Sequence, residues 1–132
     1  MAANKLNNKK ITYKGIIFDS KMELDYYIEV ILKNDYTHEL KPKFVLLPAF
    51  TNNQGKQIRA ITYTADFLVY IDDVCYVVEV KGMATNEFKL KRKLFEYNYP
   101  NHNYLILVKY QGEFVNWDDN EKRKRKNKLN KQ

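Results

Sequence analysis

The stretch Thr64-Ala65-Asp66-Phe67-Leu68-Val69-Tyr70-Ile71-Asp72-Asp73-Val74-Cys75-Tyr76-Val77-Val78-Glu79-Val80-Lys81 decides the fold. Two runs rich in β-branched and aromatic residues flank Asp72-Asp73, a pattern that predicts an antiparallel hairpin with a two-residue turn. With the turn centred there, Ile71 pairs with Val74, and stepping back along both runs sets Asp66 opposite Glu79. Directly opposed Cβ atoms are about 4.5–5.5 Å apart, and like charges at that distance repel. Lys81 lies two residues beyond Glu79 and shares its face. Two carboxylates and an ammonium at the apolar end of a hairpin are unfavourable, unless a divalent cation stands between the acids.

Working outward, Ile11-Thr12-Tyr13 and Ile16-Ile17-Phe18 read as a small hairpin about Lys14-Gly15. Ser20-Lys21-Met22-Glu23 matches the capping box S-x-x-E. A helix is expected from there to about Asn34, with Leu24, Tyr27, Ile28 and Ile31 on the core face and Asp25, Glu29 and Lys33 on the solvated one. Phe44 to Leu47 is a strand bounded by Pro42 and Pro48, and residues 58–63 either pair with 44–50 or run on into the hairpin. Thr85 caps a second helix, from about Asn86 to Tyr97, whose core side is Leu90, Leu94 and Phe95. Tyr104 to Val108 is a buried strand. The order is ββ-α-β-(β)-ββ-α-β, an α+β chain with a mixed sheet flanked by helices.

At 132 residues the chain forms one domain with room for a real core. We expect a loose segment over 1–9, a folded domain over 10–117 and a basic, disordered tail over 118–132, where apolar periodicity stops. Residues 121–132 hold seven Lys/Arg and one Glu, a net of +6, which leaves +1 of the chain's +7 for residues 1–120. The folded part is thus nearly neutral. Eleven tyrosines and seven phenylalanines are available for the core or for stacking. The single cysteine, Cys75, excludes an internal disulfide, reads as core, and fits a reducing cytoplasm. No apolar run approaches the length of a membrane span, and Met1-Ala2-Ala3-Asn4-Lys5 lacks an apolar signal core.

The tripeptide E-x-K occurs three times, at Glu39, Glu79 and Glu87, and only Glu79-Val80-Lys81 ends an apolar strand and faces an Asp. Against a functional role stands an ordinary salt-bridged hairpin end. Glu23 has an equally strong structural reading as the N3 residue of its capping box, but it borders the apolar stripe and so turns inward. His38 and His102 are isolated and read as solvent-exposed, which disfavours zinc. No phosphate-binding glycine motif is present. Lys89, Arg92 and Lys93 on the second helix, and Lys122, Arg123, Lys124 and Arg125 in the tail, are either solvated faces or phosphate contacts.

Glu23, Asp66 and Glu79-Val80-Lys81 together resemble the E…D…(E)xK pattern of the PD-(D/E)xK nuclease superfamily. The order α-β-β-β-α-β is similar to its restriction-endonuclease-like core. Phe18 to Glu23, Lys41-Pro42-Lys43-Phe44, Thr62 to Phe67, Glu79 to Gly82 and Lys89 to Lys93 further resemble small phage and prophage nucleases likened to Holliday-junction resolvases. No proline precedes Asp66, where the superfamily's name places one. The resemblance implies a Mg²⁺- or Mn²⁺-dependent endodeoxyribonuclease of DNA recombination in the cytoplasm of a bacterial host, encoded by a phage or prophage. Asp66, Glu79, the Val80 carbonyl and Glu23 would hold the metal, Lys81 would act on water and phosphate, and Lys89 or Lys93 would hold a neighbouring phosphate. Resolving a four-way junction calls for two symmetric cuts and hence a homodimer. The competing readings are a non-catalytic nucleic-acid-binding module and a phage assembly factor on the same fold.

Overall fold

The structure is a computed structural model that describes residues 9–130. Apart from Lys9, the segment expected to be loose lies outside the described residues. β1 (Ile11–Tyr13) and β2 (Ile16–Phe18) form the first hairpin. Helix α1 (Lys21–Tyr26) continues as a π-helical segment (Tyr27–Leu32). β3 (His38–Leu40), β4 (Lys43–Leu47), β5 (Phe50–Thr51), β6 (Gln57–Ile58), β7 (Ile61–Thr64), β8 (Phe67–Ile71) and β9 (Val74–Val80) follow. The chain then makes α2 (Asn86–Asn98), β10 (Asn103–Tyr110), β11 (Glu113–Asn116) and α3 (Trp117–Asn130).

The architecture is α+β, with a five-stranded mixed sheet in the order β11-β10-β9-β8-β3. β9 is its central strand. The β8–β9 hairpin has the expected register, Ile71 opposite Val74 and Phe67 opposite Val78. Its turn places both Asp72 and Asp73 at positive φ, 50° and 67°. That is the type I′ geometry whose twist suits two-residue hairpins, and Asp tolerates it. Lys14-Gly15 and Gln111-Gly112 repeat the device. β9 and β10 run parallel, and a parallel pair needs a crossover, which α2 supplies. β4 pairs with β7, not with a continuation of the hairpin.

Alternation along β9 sorts its side chains between two cores. Val78 and Val80 pack with Phe67, Val69, Phe18, Leu24, Tyr26, Tyr27 and Ile31 under α1 and the π segment. Val77 packs with Tyr63, Phe88, Phe95 and Ile106 under α2. The π segment is closed by i→i−5 bonds such as Lys33 N to Ile28 O, 3.2 Å. Its extra residue per turn shifts the helix phase, so adjacent Tyr26 and Tyr27 are both buried while Ile28 is only partly covered.

Four expectations are corrected. The first helix ends at Leu32 rather than near Asn34. Leu90 points to solvent, and Phe88 takes its place on the core side of α2. His38 is half-buried, its ring 5.5 Å from that of Tyr27 and its Nδ1 3.0 Å from the Tyr36 carbonyl. Most importantly, residues 118–130 are helical in α3 where disorder was expected. This helix has almost no apolar stripe and is held by polar contacts in its first turns. Asn116 Oδ1 accepts from Asp119 N (3.0 Å), and Arg92 grips Asp118 with both terminal nitrogens (2.9 and 2.6 Å). Asn120 is buried, and the Arg123 guanidinium lies 4.0 Å over the Tyr110 ring. Asp118 and Asp119 suit the positive end of the helix dipole, and Lys and Arg are good helix formers. Among the described residues no helix is long and apolar enough to cross a membrane.

Candidate active site

Because β8 is antiparallel to β9, the start of β8 meets the end of β9, and both point toward the N-termini of α1 and α2. There a cleft of about 620 Å³ opens, lined by Asp19, Glu23, Asp66, Glu79, Val80 and Lys81 among others. The hairpin ladder ends at Phe67 and Val78, and Asp66 follows at its end with its N–H donating to the Val78 carbonyl at 3.1 Å, so that Asp66, Glu79 and Lys81 line one cleft, to which α1 adds Glu23. All three acids are buried: Glu23 is 2% exposed, Glu79 6% and Asp66 9%.

Each carboxylate has a defined partner. Asp66 Oδ2 accepts from Val80 N at 2.7 Å. Glu79 Oε1 accepts from the Tyr63 hydroxyl at 2.5 Å, and that hydroxyl lies 2.7 Å from the Tyr104 hydroxyl. Glu79 Oε2 is 3.2 Å from Lys81 Nζ. The Lys81 ammonium rests 4.3 Å from the centre of the Phe88 ring, which fixes its direction. Ser20 caps α1 as expected, accepting from Glu23 N at 3.1 Å. The Glu23 carboxylate does not close the box on Ser20 N. It accepts instead from Asp19 N at 3.3 Å and from Lys41 Nζ at 3.1 Å through each oxygen.

The electrostatics follow from this crowding. Burial, then the charge of Glu79 and the neighbouring Glu23, holds the Asp66 carboxyl well above the ordinary carboxylate range, against the Val80 N–H. Burial also raises Glu79, while Lys81 and Tyr63 pull it partly back. Burial works to lower Lys41, but its bond to Asp19 and the charges of Asp66 and Glu23 raise it overall. The acids therefore carry more negative charge than the surroundings comfortably hold. The donor set is all oxygen and suits a hard divalent cation. As placed, with Lys41 interposed, no group of three His, Cys, Asp or Glu side chains among the described residues is arranged to hold a metal ion.

Sequence reasoning assigned no role to Lys41 or Tyr63. They lie in the segments Lys41-Pro42-Lys43-Phe44 and Thr62 to Phe67, and only the tertiary structure aims them at the acids. The basic residues named from sequence separate into groups. Lys89, Arg92, Lys122 and Arg125 line a second cleft of about 510 Å³ between α2 and α3, with Trp117, Asp118 and Glu121. Arg92 is turned to Asp118 and Glu96 and serves as the clamp between the helices. Arg123 lies on Tyr110 and Lys124 pairs with Glu121, while Lys93 is exposed outside both clefts.

These features define a small α+β protein with a buried acid cluster at the end of its central hairpin. Residues 3–123 match the family described as Protein of unknown function (DUF1064), and the chain belongs to that family. No curated protein matches the chain.

Proposed function

We propose that this protein is a metal-dependent endodeoxyribonuclease of PD-(D/E)xK type, with a restriction-endonuclease-like core and with DNA as its substrate. The observation that carries the reading is the burial of Asp66 and Glu79 in one open cleft at the end of the hairpin, with Lys81 beside Glu79. A binding module has no need of two acids forced together near phosphate. Asp66, Glu79, the Val80 carbonyl and Glu23 would hold Mg²⁺ or Mn²⁺. When bound, such an ion polarises a phosphodiester and lowers the pKa of water beside it.

The chain's own groups do the rest. Tyr63 holds Glu79 in one rotamer by its 2.5 Å hydrogen bond. The Val80 N–H does the same for Asp66. Lys81, steadied on Phe88, orients the attacking water and offsets charge building on the phosphate. Water adds to phosphorus and one bridging P–O bond breaks, leaving a phosphate on one fragment and a hydroxyl on the other. The N-terminus of α2, capped by Thr85 at the cleft wall, adds a partial positive charge toward an anion. Lys89, Lys122 and Arg125, in the cleft beyond, supply contacts to neighbouring phosphates.

One observation favours the runner-up, a non-catalytic DNA-binding or phage assembly module: Lys41 already neutralises part of the acid cluster. A single experiment separates them. Four-way, flap, duplex and single-stranded DNA are incubated side by side with Mg²⁺ or with EDTA. Mg²⁺-dependent cleavage that Asp66→Asn abolishes establishes the nuclease, and the preferred substrate shows whether it resolves junctions and needs a dimer. Intact DNA in all lanes, with binding retained, establishes the module.

A further inference from the structure

We propose that Lys41 is the built-in counter-ion of the acid cluster and competes with a divalent cation for the Glu23 and Asp66 carboxylates, so that the cation binds by displacing it. This rests on the nuclease reading of the same cleft. Lys41 Nζ is 3.1 Å from both Glu23 oxygens, 2.9 Å from Asp19 Oδ2 and 3.7 Å from Asp66 Oδ1. It thus contacts two of the acids that would ligate the ion, and both ligands cannot serve an ammonium and a hard cation at once.

The backbone is built to hold this lysine in place. Lys41 sits at φ 54°, a left-handed conformation uncommon for a residue with a side chain. Its N–H donates to the Asp66 carbonyl at 3.0 Å, and the next carbonyl, of Pro42, accepts from Ala65 N at 3.0 Å. The Cα is therefore pinned beside Asp66 whatever the side chain does.

The side chain itself is free to leave. Its stem is long and flexible, and 37% of the side chain is exposed. Lys81 differs on both counts, being 22% exposed and stacked on Phe88. Of the two lysines at the site, Lys81 is fixed and Lys41 is exchangeable. Once displaced, Lys41 keeps Asp19 as its partner at the cleft rim, where Asp19 is itself half exposed. In the cation-free protein the ammonium offsets part of the repulsion among the acids. In the loaded protein it stands at the rim facing the DNA backbone.

The test is Mn²⁺ affinity measured without DNA, by electron paramagnetic resonance of the free ion, on the wild type, Lys41→Met and Asp66→Asn. Lys41→Met should bind about ten-fold tighter or better, because a positive charge no longer has to be moved. Asp66→Asn should lose binding. Binding by Lys41→Met alone also supports the proposal. If the wild type binds through Asp66 but Lys41→Met binds no tighter, the counter-ion proposal fails and the nuclease reading stands. If neither wild type nor Lys41→Met binds, both fail. Should Lys41→Met not fold, the wild type answers by itself: the ε-methylene resonance of Lys41 must shift along the Mg²⁺ binding curve. A signal unmoved through saturation overturns the proposal.

Discussion

Replacing Asp66 with Asn should abolish cleavage and, in the absence of divalent cation, make the protein more stable. The carboxamide keeps the shape and can still accept the 2.7 Å hydrogen bond from Val80 N. What it loses is charge. Two carboxylates at the cross-strand Cβ spacing are roughly 5 Å apart. At an effective dielectric of about 20 their repulsion is about 3 kcal/mol, and Glu23 adds a second repulsion of about the same size. Against this, the attraction to Lys41 Nζ at 3.7 Å is about 4 kcal/mol by the same relation, before screening at the half-open rim. Removing the charge therefore gains about 1–2 kcal/mol, enough to raise the melting temperature by about 3–8 °C. The assay is thermal and urea unfolding in EDTA and in Mg²⁺, paired with cleavage. In Mg²⁺ the ranking should reverse, because only the wild type gains binding energy from the ion. A variant clearly less stable than wild type in EDTA would refute the like-charge reasoning. Near wild-type Mg²⁺-dependent cleavage by the variant would remove Asp66 from the metal site.

Lys81→Ala should lower the single-turnover rate at saturating DNA by about 100-fold or more while shifting the dissociation constant little; weak binding at a normal rate would reassign Lys81 to phosphate contact. Deleting residues 121–132, which carry a net of +6, should weaken binding to four-way and linear DNA by similar factors. It should also flatten the salt dependence by about 0.9 for each phosphate that the tail no longer neutralises. A vanished junction preference at an unchanged slope would mean that α3 reads DNA shape. Arg92 holds the Asp118 carboxyl below its ordinary value of 3.8. The folded protein therefore binds this proton less readily than the unfolded chain, so the clamp's contribution is complete above that value and fades as pH falls through the lower folded one. Fluorescence of Trp117, the single tryptophan, should report α3 undocking below about pH 4; an acid transition unchanged in Arg92→Gln would show that the clamp is not the cause.

Much of this protein was legible in the residues because the decisive interactions are local. Asp72-Asp73 between two β-rich runs set the register from Ile71 opposite Val74 to Phe67 opposite Val78, and Asp66 and Glu79 follow at the end of that ladder. Ser20 and Thr85 announced the starts of α1 and α2 through short-range caps. Local signals failed where partners are distant in the chain. β3 is too short to show a period and exists because β8 offers it a free edge. β11 is defined by a Gln111-Gly112 turn that folds it back on β10. The helix α3 has no apolar stripe, and is ordered by Arg92, Asn116 and Tyr110, none of which belongs to it.

The sequence by itself thus determined the α+β class and the central hairpin that ends at Asp66 and Glu79, since alternation and a tight turn fix the register of a strand pair. Only the tertiary structure decided what surrounds those acids. Lys41 and Tyr63 reach them across eighteen and sixteen residues, from Glu23 and Glu79 respectively. Such contacts follow from how layers stack over the sheet, and no pattern along the chain encodes them. For the same reason Arg92, which in sequence belongs to a basic ridge, turned out to be the clamp that holds the last helix.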